Sequence, residues 1–118
     1  MPRPEVLSGY TSKIKTGCAS IFLTLNFDEE GNPFELFINS AKSAGCSGLH
    51  QSLSRTITLC FRNKINIDDI IETLEGVTCP ACTRAKAKLG KDEIVDFPKS
   101  CGDACSRFLK RIKNKVGE

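Results

Sequence analysis

The stretch from Cys79 to Cys105 reads CPACTRAKAKLGKDEIVDFPKSCGDAC and holds four of the seven cysteines of this chain. Two thiol pairs joined by a loop can chelate one tetrahedral metal ion, because each tight turn directs two sulfurs toward a common point. Pro80 suits the first turn, since proline fixes φ and has no N–H to leave unpaired. The spacing therefore predicts a structural zinc site made by Cys79, Cys82, Cys101 and Cys105, with an iron–sulfur cluster as the less favoured alternative.

Length and composition restrict the class of protein to which this chain can belong. The chain has 118 residues, 40% hydrophobic and 26% charged, which is typical of one small globular domain. The net charge of +3 is too small to indicate a nucleic-acid or membrane partner. The N-terminus has no apolar signal region, so we expect a soluble, cytoplasmic protein. An odd number of cysteines then favours reduced thiols or metal ligands over disulfides.

The first half of the chain predicts a small antiparallel sheet. Residues 1–9 contain two prolines and a glycine and are interpreted as an N-terminal arm, which leaves residues 10–118 as the domain. Alternation predicts strands from Tyr10 to Thr16 and over residues 20–27 and 34–38, and the polar turn DEEGNP joins the last two into a hairpin.

The second half predicts helices that pack on one face of this sheet. A stripe at helical spacing marks the first helix, at Leu49, Leu53, Ile57, Cys60 and Phe61. A second helix has Asp68 and Asp69 near its start and Gly76 as its stop, and its inner face is formed by Ile67, Ile70, Ile71 and Leu74. Further helices are expected over residues 81–90 and from about Cys101 onward, the last with Phe108, Leu109, Ile112 and Val116 inside. A loop with a short extended piece at Ile94 and Val95 separates the last two. The predicted fold class is α+β.

The hairpin also suggests a second ligand set. Cys18 precedes the long strand and Cys46 follows the end of its antiparallel partner, so both should lie at the same end of the sheet. Each follows a glycine, which permits a close approach of the backbone. A metal could thus be held by Cys18, Cys46, Cys79 and Cys101, with the local set of Cys79, Cys82, Cys101 and Cys105 as the alternative.

Four segments carry a resemblance to a known family: RPEVLSGYTSKIKTGC at 3–18, INSAKSAGC at 38–46, LEGVTCP at 74–80 and SCGDA at 100–104. They resemble the TSCPD domain, which is found at the C-terminal end of cobalamin-dependent (class II) ribonucleotide reductases and as small stand-alone proteins. In the name motif Ser100, Cys101 and Asp103 match, whereas Lys99 and Gly102 replace the threonine and the proline. The resemblance implies the ligand set Cys18, Cys46, Cys79 and Cys101, and Cys82 and Cys105 have no counterpart in the family pattern.

The resemblance implies an accessory role in ribonucleotide reduction and DNA precursor synthesis, with a reductase subunit or another protein as the partner. We do not expect the chain to be catalytic alone, because it is too short for the radical-bearing barrel and the cobalamin site. If the name ribonucleoside-diphosphate reductase were applied to this chain, it would describe the family and not an activity of this chain alone. No catalytic residues are predicted.

Two other functions remain open. Cys79 and Cys82 could cycle between dithiol and disulfide and re-reduce a reductase, because a thiol before a helix has a lowered pKa. A metal-stabilised nucleic-acid-binding module would instead use Arg107, Lys110 and Arg111 for phosphate contact, although no aromatic side chains interleave these charges. His50 is interpreted as a surface or helix-edge residue.

Overall fold

The computed structural model describes residues 3–17, 20–40, 46–90 and 97–116. Within them the chain forms three strands and four helices in the order β1 (Ser8–Lys15), β2 (Ser20–Phe27), β3 (Pro33–Ser40), α1 (Ser47–Arg62), α2 (Ile67–Leu74), α3 (Pro80–Lys86) and α4 (Cys101–Val116). The predicted α+β class, with a sheet followed by helices, is confirmed. The extended piece predicted at Ile94 and Val95 lies outside the described residues. None of the described helices is long and apolar enough to cross a membrane.

The sheet is antiparallel, with strand order β1-β2-β3. Ile21 pairs with Ser40 across β2 and β3 and with Ile14 across β1 and β2. The predicted hairpin is therefore confirmed, and the start of β2 lies beside the end of β3. This register places the end of β1, the start of β2 and the end of β3 at the same end of the sheet, whereas Cys18 itself lies outside the described residues.

The core lies between one face of the sheet and the helices. Ile21, Leu23 and Leu25 point to this face and have no solvent exposure, as the alternation predicted. Phe108 and Leu109 of α4 are equally buried and belong to the same apolar cluster. The inner residues of α2 also join this cluster, and the helix ends before Gly76, which has a φ of +79°. The sheet and α4 therefore enclose the centre of the domain.

Helix α1 lies along the edge strand β3 and satisfies its outward-facing backbone groups. The N–H of Ile38 donates to Ser54 Oγ at 2.9 Å, and the N–H of Leu36 donates to Thr58 Oγ at 3.0 Å. The two hydroxyl residues are four apart, so they lie on one side of the helix. An edge strand that would otherwise offer unpaired donors is thus closed by side chains of α1.

This arrangement corrects the predicted buried stripe of α1. Leu49 was expected inside, but 71% of it is exposed, whereas His50 was expected at the surface and is only 3% exposed. The helix faces a strand edge that needs hydrogen-bond partners, and its inner side therefore contains Ser54 as well as Ile57 and Phe61. The apolar stripe alone therefore predicts the wrong inward-facing residue in the first turn of α1.

The N-terminal arm is joined to the sheet by a buried carboxylate. Glu35 is 2% exposed, and its oxygens accept hydrogen bonds from Arg3 Nε and Nη2 at 2.8–3.0 Å and from Asn26 Nδ2 at 2.9 Å. Burial acts to raise the pKa of Glu35, but these hydrogen bonds and the charge of Arg3 outweigh burial and lower it below its ordinary value. Since β1 also begins at Ser8, part of the predicted arm is structural.

We expect Glu35→Gln to destabilise the protein at neutral pH by about 1–3 kcal/mol, because a charge-assisted hydrogen-bond network is lost. A carboxyl group whose pKa is lowered on folding stabilises the protein above its unfolded pKa, and this contribution disappears as the pH falls through the folded pKa. The free energy of unfolding of the wild type should thus approach that of Glu35→Gln below pH 4.5, the ordinary pKa. Urea unfolding between pH 7 and pH 3 measures both.

The matched control is Glu29→Gln, a change of the same kind at an exposed position of the hairpin turn. It should leave the free energy of unfolding almost unchanged at every pH. A constant difference between Glu35→Gln and the wild type across the pH range would contradict the assignment.

Candidate metal centre

Cys79 and Cys82 lie at the start of α3, where Pro80 occupies the first turn as the sequence suggested. Cys79 is the residue at the N-cap and is partly exposed, whereas Cys82 is 1% exposed. The backbone N–H of Gly17 donates to Cys82 Sγ at 3.2 Å. The segment that precedes Cys18 in the sequence therefore contacts the CPAC turn directly.

Gly17 has no room for a side chain. A Cβ atom placed there would lie 2.5 Å from the backbone C and O of Ala81 and from Cys82 Cα. Backbone atoms cannot move aside as the end of a flexible side chain can, so the contact requires glycine. The close approach predicted from the glycine before Cys18 is thus present between β1 and α3.

The CPAC turn also contacts the start of α4. The N–H of Cys79 donates to the carbonyl of Lys99 at 2.9 Å, two residues before Cys101. Ser100 then caps α4, because its Oγ accepts from the N–H of Asp103 at 3.0 Å and its carbonyl accepts from that of Ala104 at 2.9 Å. Cys101 is therefore held in the first turn of a capped helix, two residues after the backbone contact with Cys79.

Asp103 connects this turn to α2. Its two carboxylate oxygens accept from the N–H groups of Gly76 and Lys99, each at 2.9 Å, and Arg107 Nε lies 3.1 Å away. Burial acts to raise the pKa of Asp103, but the two N–H donors and Arg107 outweigh burial and lower it. By accepting hydrogen bonds from backbone N–H groups, Ser100 and Asp103 of the SCGD motif thus fix the conformation of the chain around Cys101.

The side chain of His50, on α1, contacts Cys101 in the first turn of α4. Its Nε2 lies 3.0 Å from Cys101 Sγ, and its N–H donates to the carbonyl of Cys46 at 2.8 Å. Burial lowers the pKa of His50, so the imidazole is neutral at pH 7. This is the main residue that sequence reasoning missed. The C-x-x-x-H spacing of Cys46 and His50, one helical turn apart, is the signal that could have identified it.

The described cysteines fall into two groups by exposure, and no disulfide joins them. Cys82 and Cys105 are buried, while Cys46, Cys60, Cys79 and Cys101 are partly exposed. Burial raises the pKa of Cys105 to about 12, and burial together with the neighbouring Cys79 raises that of Cys82 despite the Gly17 N–H. Without a bound metal, both shifts favour the protonated thiol, and Cys105 belongs to the apolar core cluster.

Contacts between separate segments bring the thiols and the imidazole of His50 toward one end of the domain. They do not form a complete set of metal ligands there. Among residues 3–17, 20–40, 46–90 and 97–116, no three His, Cys, Asp or Glu side chains lie close enough together to hold a metal ion. The local set of Cys79, Cys82, Cys101 and Cys105 falls inside these ranges. The other set has Cys46, Cys79 and Cys101 inside these ranges as well, and only its fourth member, Cys18, lies outside them. The donor chemistry, thiols with one neutral imidazole, suits zinc.

The basic run of α4 is largely engaged by acidic partners. Arg107 pairs with Asp103, and Lys110 Nζ lies 3.8 Å from Glu75 Oε1. Lys113 pairs with Asp68. Arg111 is exposed. These pairs favour a solvated helix face over a phosphate-binding surface.

The fold and this thiol-rich end define a small α+β domain with donors for a metal. The TSCPD domain family matches residues 1–113, which is nearly the whole chain. The chain therefore belongs to the TSCPD domain family, a domain associated with ribonucleotide reductases. No match was found among curated proteins or among solved structures.

We expect Gly17→Ala to destabilise the domain by about 1–3 kcal/mol, because the added Cβ forces β1 and α3 apart. The control is Gly48→Ala, whose Cβ would meet nothing within 4 Å in the first turn of α1, where alanine is the better helix former. Chemical unfolding of the two variants without metal measures the effect. Equal stability of both variants would show that the Gly17 contact is not required.

Proposed function

We propose that this chain is a zinc-binding TSCPD domain that acts as an accessory module of a ribonucleotide reductase, with Cys18, Cys46, Cys79 and Cys101 as the metal ligands. The observation that supports the proposal is the contact between the separate chain segments that carry the thiols. Gly17 contacts Cys82, Cys79 contacts Lys99, and His50 contacts Cys101. Each contact brings a predicted ligand, or its chain neighbour, toward the same end of the domain.

The exposure of the thiols supports this ligand set over the local one. Cys46, Cys79 and Cys101 are partly exposed, as ligands that an ion must reach should be. The two cysteines without a counterpart in the family, Cys82 and Cys105, are buried. We assign them the role of small, buried apolar side chains next to the site.

The proposed role of the metal is structural. Four thiolates complete the tetrahedral shell of zinc and leave no position for a substrate or water. The ion would tie the start of β2, the loop before α1, the CPAC turn and the start of α4 together. Binding energy of this kind adds directly to the stability of a small domain.

Metal analysis of protein purified without added metal tests the ligand set. We expect one zinc per chain in the wild type and in Cys82→Ser, and loss of zinc in Cys18→Ser and Cys101→Ser, because each of these two removes one thiolate. Cys60→Ser is the matched control, since Cys60 belongs to neither set and lies on α1. Zinc content is read by elemental analysis, and visible absorbance would reveal an iron–sulfur cluster instead.

Two results would contradict this assignment. Zinc lost in Cys82→Ser but kept in Cys18→Ser would transfer the site to the local set. No metal in the wild type, under reducing conditions and after addition of zinc, would remove the metal from the proposal altogether.

The accessory role predicts binding to a cobalamin-dependent ribonucleotide reductase that lacks its own C-terminal domain. We expect a complex between the zinc-loaded chain and the truncated reductase, detected by light scattering after size-exclusion chromatography. The zinc-free Cys101→Ser variant should bind more weakly, because the ends of β1, α3 and α4 are no longer tied. Absence of a complex with the zinc-loaded chain would argue against this partner.

Thiol–disulfide exchange is the second candidate function, and the CPAC turn favours it. Cys79 is partly exposed, and its thiol is close enough to that of the buried Cys82 to raise the pKa of Cys82. In this function the Cys79/Cys82 dithiol would transfer two electrons to a disulfide of the reductase and become a disulfide itself. Cys82→Ser would then abolish the exchange while zinc stays bound.

A further inference from the structure

We propose that the outer face of the sheet binds a single-stranded nucleic acid, with Phe22 and Phe37 as the side chains on which two bases stack. Both phenylalanines lie on the side of β2 and β3 that is opposite to the buried Leu23 and Leu25. Phe22 is 45% exposed and Phe37 is 43% exposed. In the part of the chain that the structure describes, the helices that pack on the sheet therefore leave both rings open to solvent.

The register of the sheet sets the spacing of the two rings. Thr24 lies opposite Phe37 across β2 and β3, and Phe22 is two residues before Thr24 on the same face. Phe22 and Phe37 are thus diagonal neighbours, and such residues are about 7–8 Å apart in an antiparallel pair. Because the bases of a single strand are not held in a duplex, two of them can separate to this distance and stack on one ring each.

The charges beside the two rings are positive. Lys13 lies opposite Phe22 on β1, and its Nζ is 5.9 Å from the centre of the Phe22 ring. Lys15 is exposed on the same side of β1, two residues further along. Both side chains are long enough to contact the phosphate next to a stacked base. Aromatic side chains on a positively charged surface are the combination that binds single strands.

The negative charge on this face is small. Glu35 is the one acidic residue within the three strands, and it lies on the same side of β3 as Phe37. Its carboxylate is 2% exposed and accepts hydrogen bonds from Arg3 and Asn26. The net charge of +3 for the whole chain therefore understates the local charge of the outer sheet face, which is complementary to a row of phosphates.

A groove beside Phe37 extends this surface toward α1. It has a volume of about 700 Å³, lies between β3 and α1, and includes Phe37, Asn39, Gln51 and Arg55 in its lining. Arg55 is exposed and adds a cation, and the amides of Asn39 and Gln51 can donate to and accept from the edges of bases. The strand thus crosses both rings between Lys13 on β1 and Arg55 on α1.

Charge also separates this occupant from a second copy of the chain. Two outer sheet faces placed against each other bring lysines of one copy close to lysines of the other, whereas a polyanion neutralises them. The basic residues of α4 differ from this surface, because Lys110 and Lys113 pair with acidic side chains of α2 and its C-cap. Of the two basic surfaces, the outer sheet face is therefore the one that presents cations together with exposed aromatic rings.

Fluorescence anisotropy of a labelled oligothymidine with the full chain at low salt tests the stacking. Phe22→Ala and Phe37→Ala should each weaken binding by about 5- to 150-fold, the range that the loss of one stacked base produces. Phe37→Tyr should stay close to the wild type because it keeps the ring, whereas Phe37→Leu should bind as weakly as Phe37→Ala. Val77→Ala is the control, since Val77 is 48% exposed and lies on none of the strands.

The salt dependence of binding tests the cations separately from the rings. Lys13→Gln and Lys15→Gln should each reduce the slope of log K against log salt concentration by about 0.7, the value for one phosphate contact of a single strand. Lys88→Gln, at an exposed position after α3, is the control and should leave the slope unchanged. This measurement also decides the proposal if circular dichroism shows that Phe37→Ala folds poorly.

Several outcomes would overturn the proposal. No binding at low salt, or equal binding of a duplex of the same length, would remove the single strand as the occupant, and equal affinity for thymidine monophosphate would leave a nucleotide site. Binding lost in Arg111→Gln but kept in Lys13→Gln would move the contact to α4. Self-association that disappears in Phe37→Ala would make this face an interface between copies. None of the varied residues is a proposed metal ligand, so this inference and the zinc site can fail separately.

Discussion

The packing of α4 against the inner face of β2 is the constraint on which the rest of the structure depends. Leu23 and Leu25 on the strand and Phe108 and Leu109 on the helix have no solvent exposure. Burial of such side chains contributes about 1.5–3 kcal/mol each, so this contact is a substantial part of the stability of a domain of this size. Once α4 lies across the sheet, the position of its first turn, and thus of Cys101, is determined.

The thiol-rich end is a consequence of that placement. The antiparallel sheet brings the ends of β1 and β3 to the same end of the sheet, and the cap at Ser100 starts α4 there. Asp103 then accepts from the N–H of Gly76, so the segment that leads from α2 to Cys79 must pass this turn. The segments that carry the cysteines therefore approach one another because the ends of their elements do.

The sequence predicted the parts of the fold that depend on one local pattern. Alternation in residues 20–27 identified β2 and its buried face, and Gly76 correctly ended α2. It failed at the first turn of α1, where Leu49 and His50 exchange the expected places. The rotation of α1 about its axis is determined by the outward-facing N–H groups of β3, which donate to Ser54 and Thr58. The periodicity of the helix sequence carries no information about these N–H groups of the neighbouring strand.

The same reasoning explains why the candidate site was only partly predictable. Spacing identifies cysteines that are close in sequence, and it favoured Cys82 and Cys105, which the fold buries. Cys105 belongs to the apolar cluster, and Cys101, one turn earlier on α4, packs against it. The first turn of α4 therefore belongs to the core on one side and to the thiol-rich end on the other. A disturbance at Cys101 must reach the core through this turn, which is why a metal here would stabilise the whole domain and not only a loop.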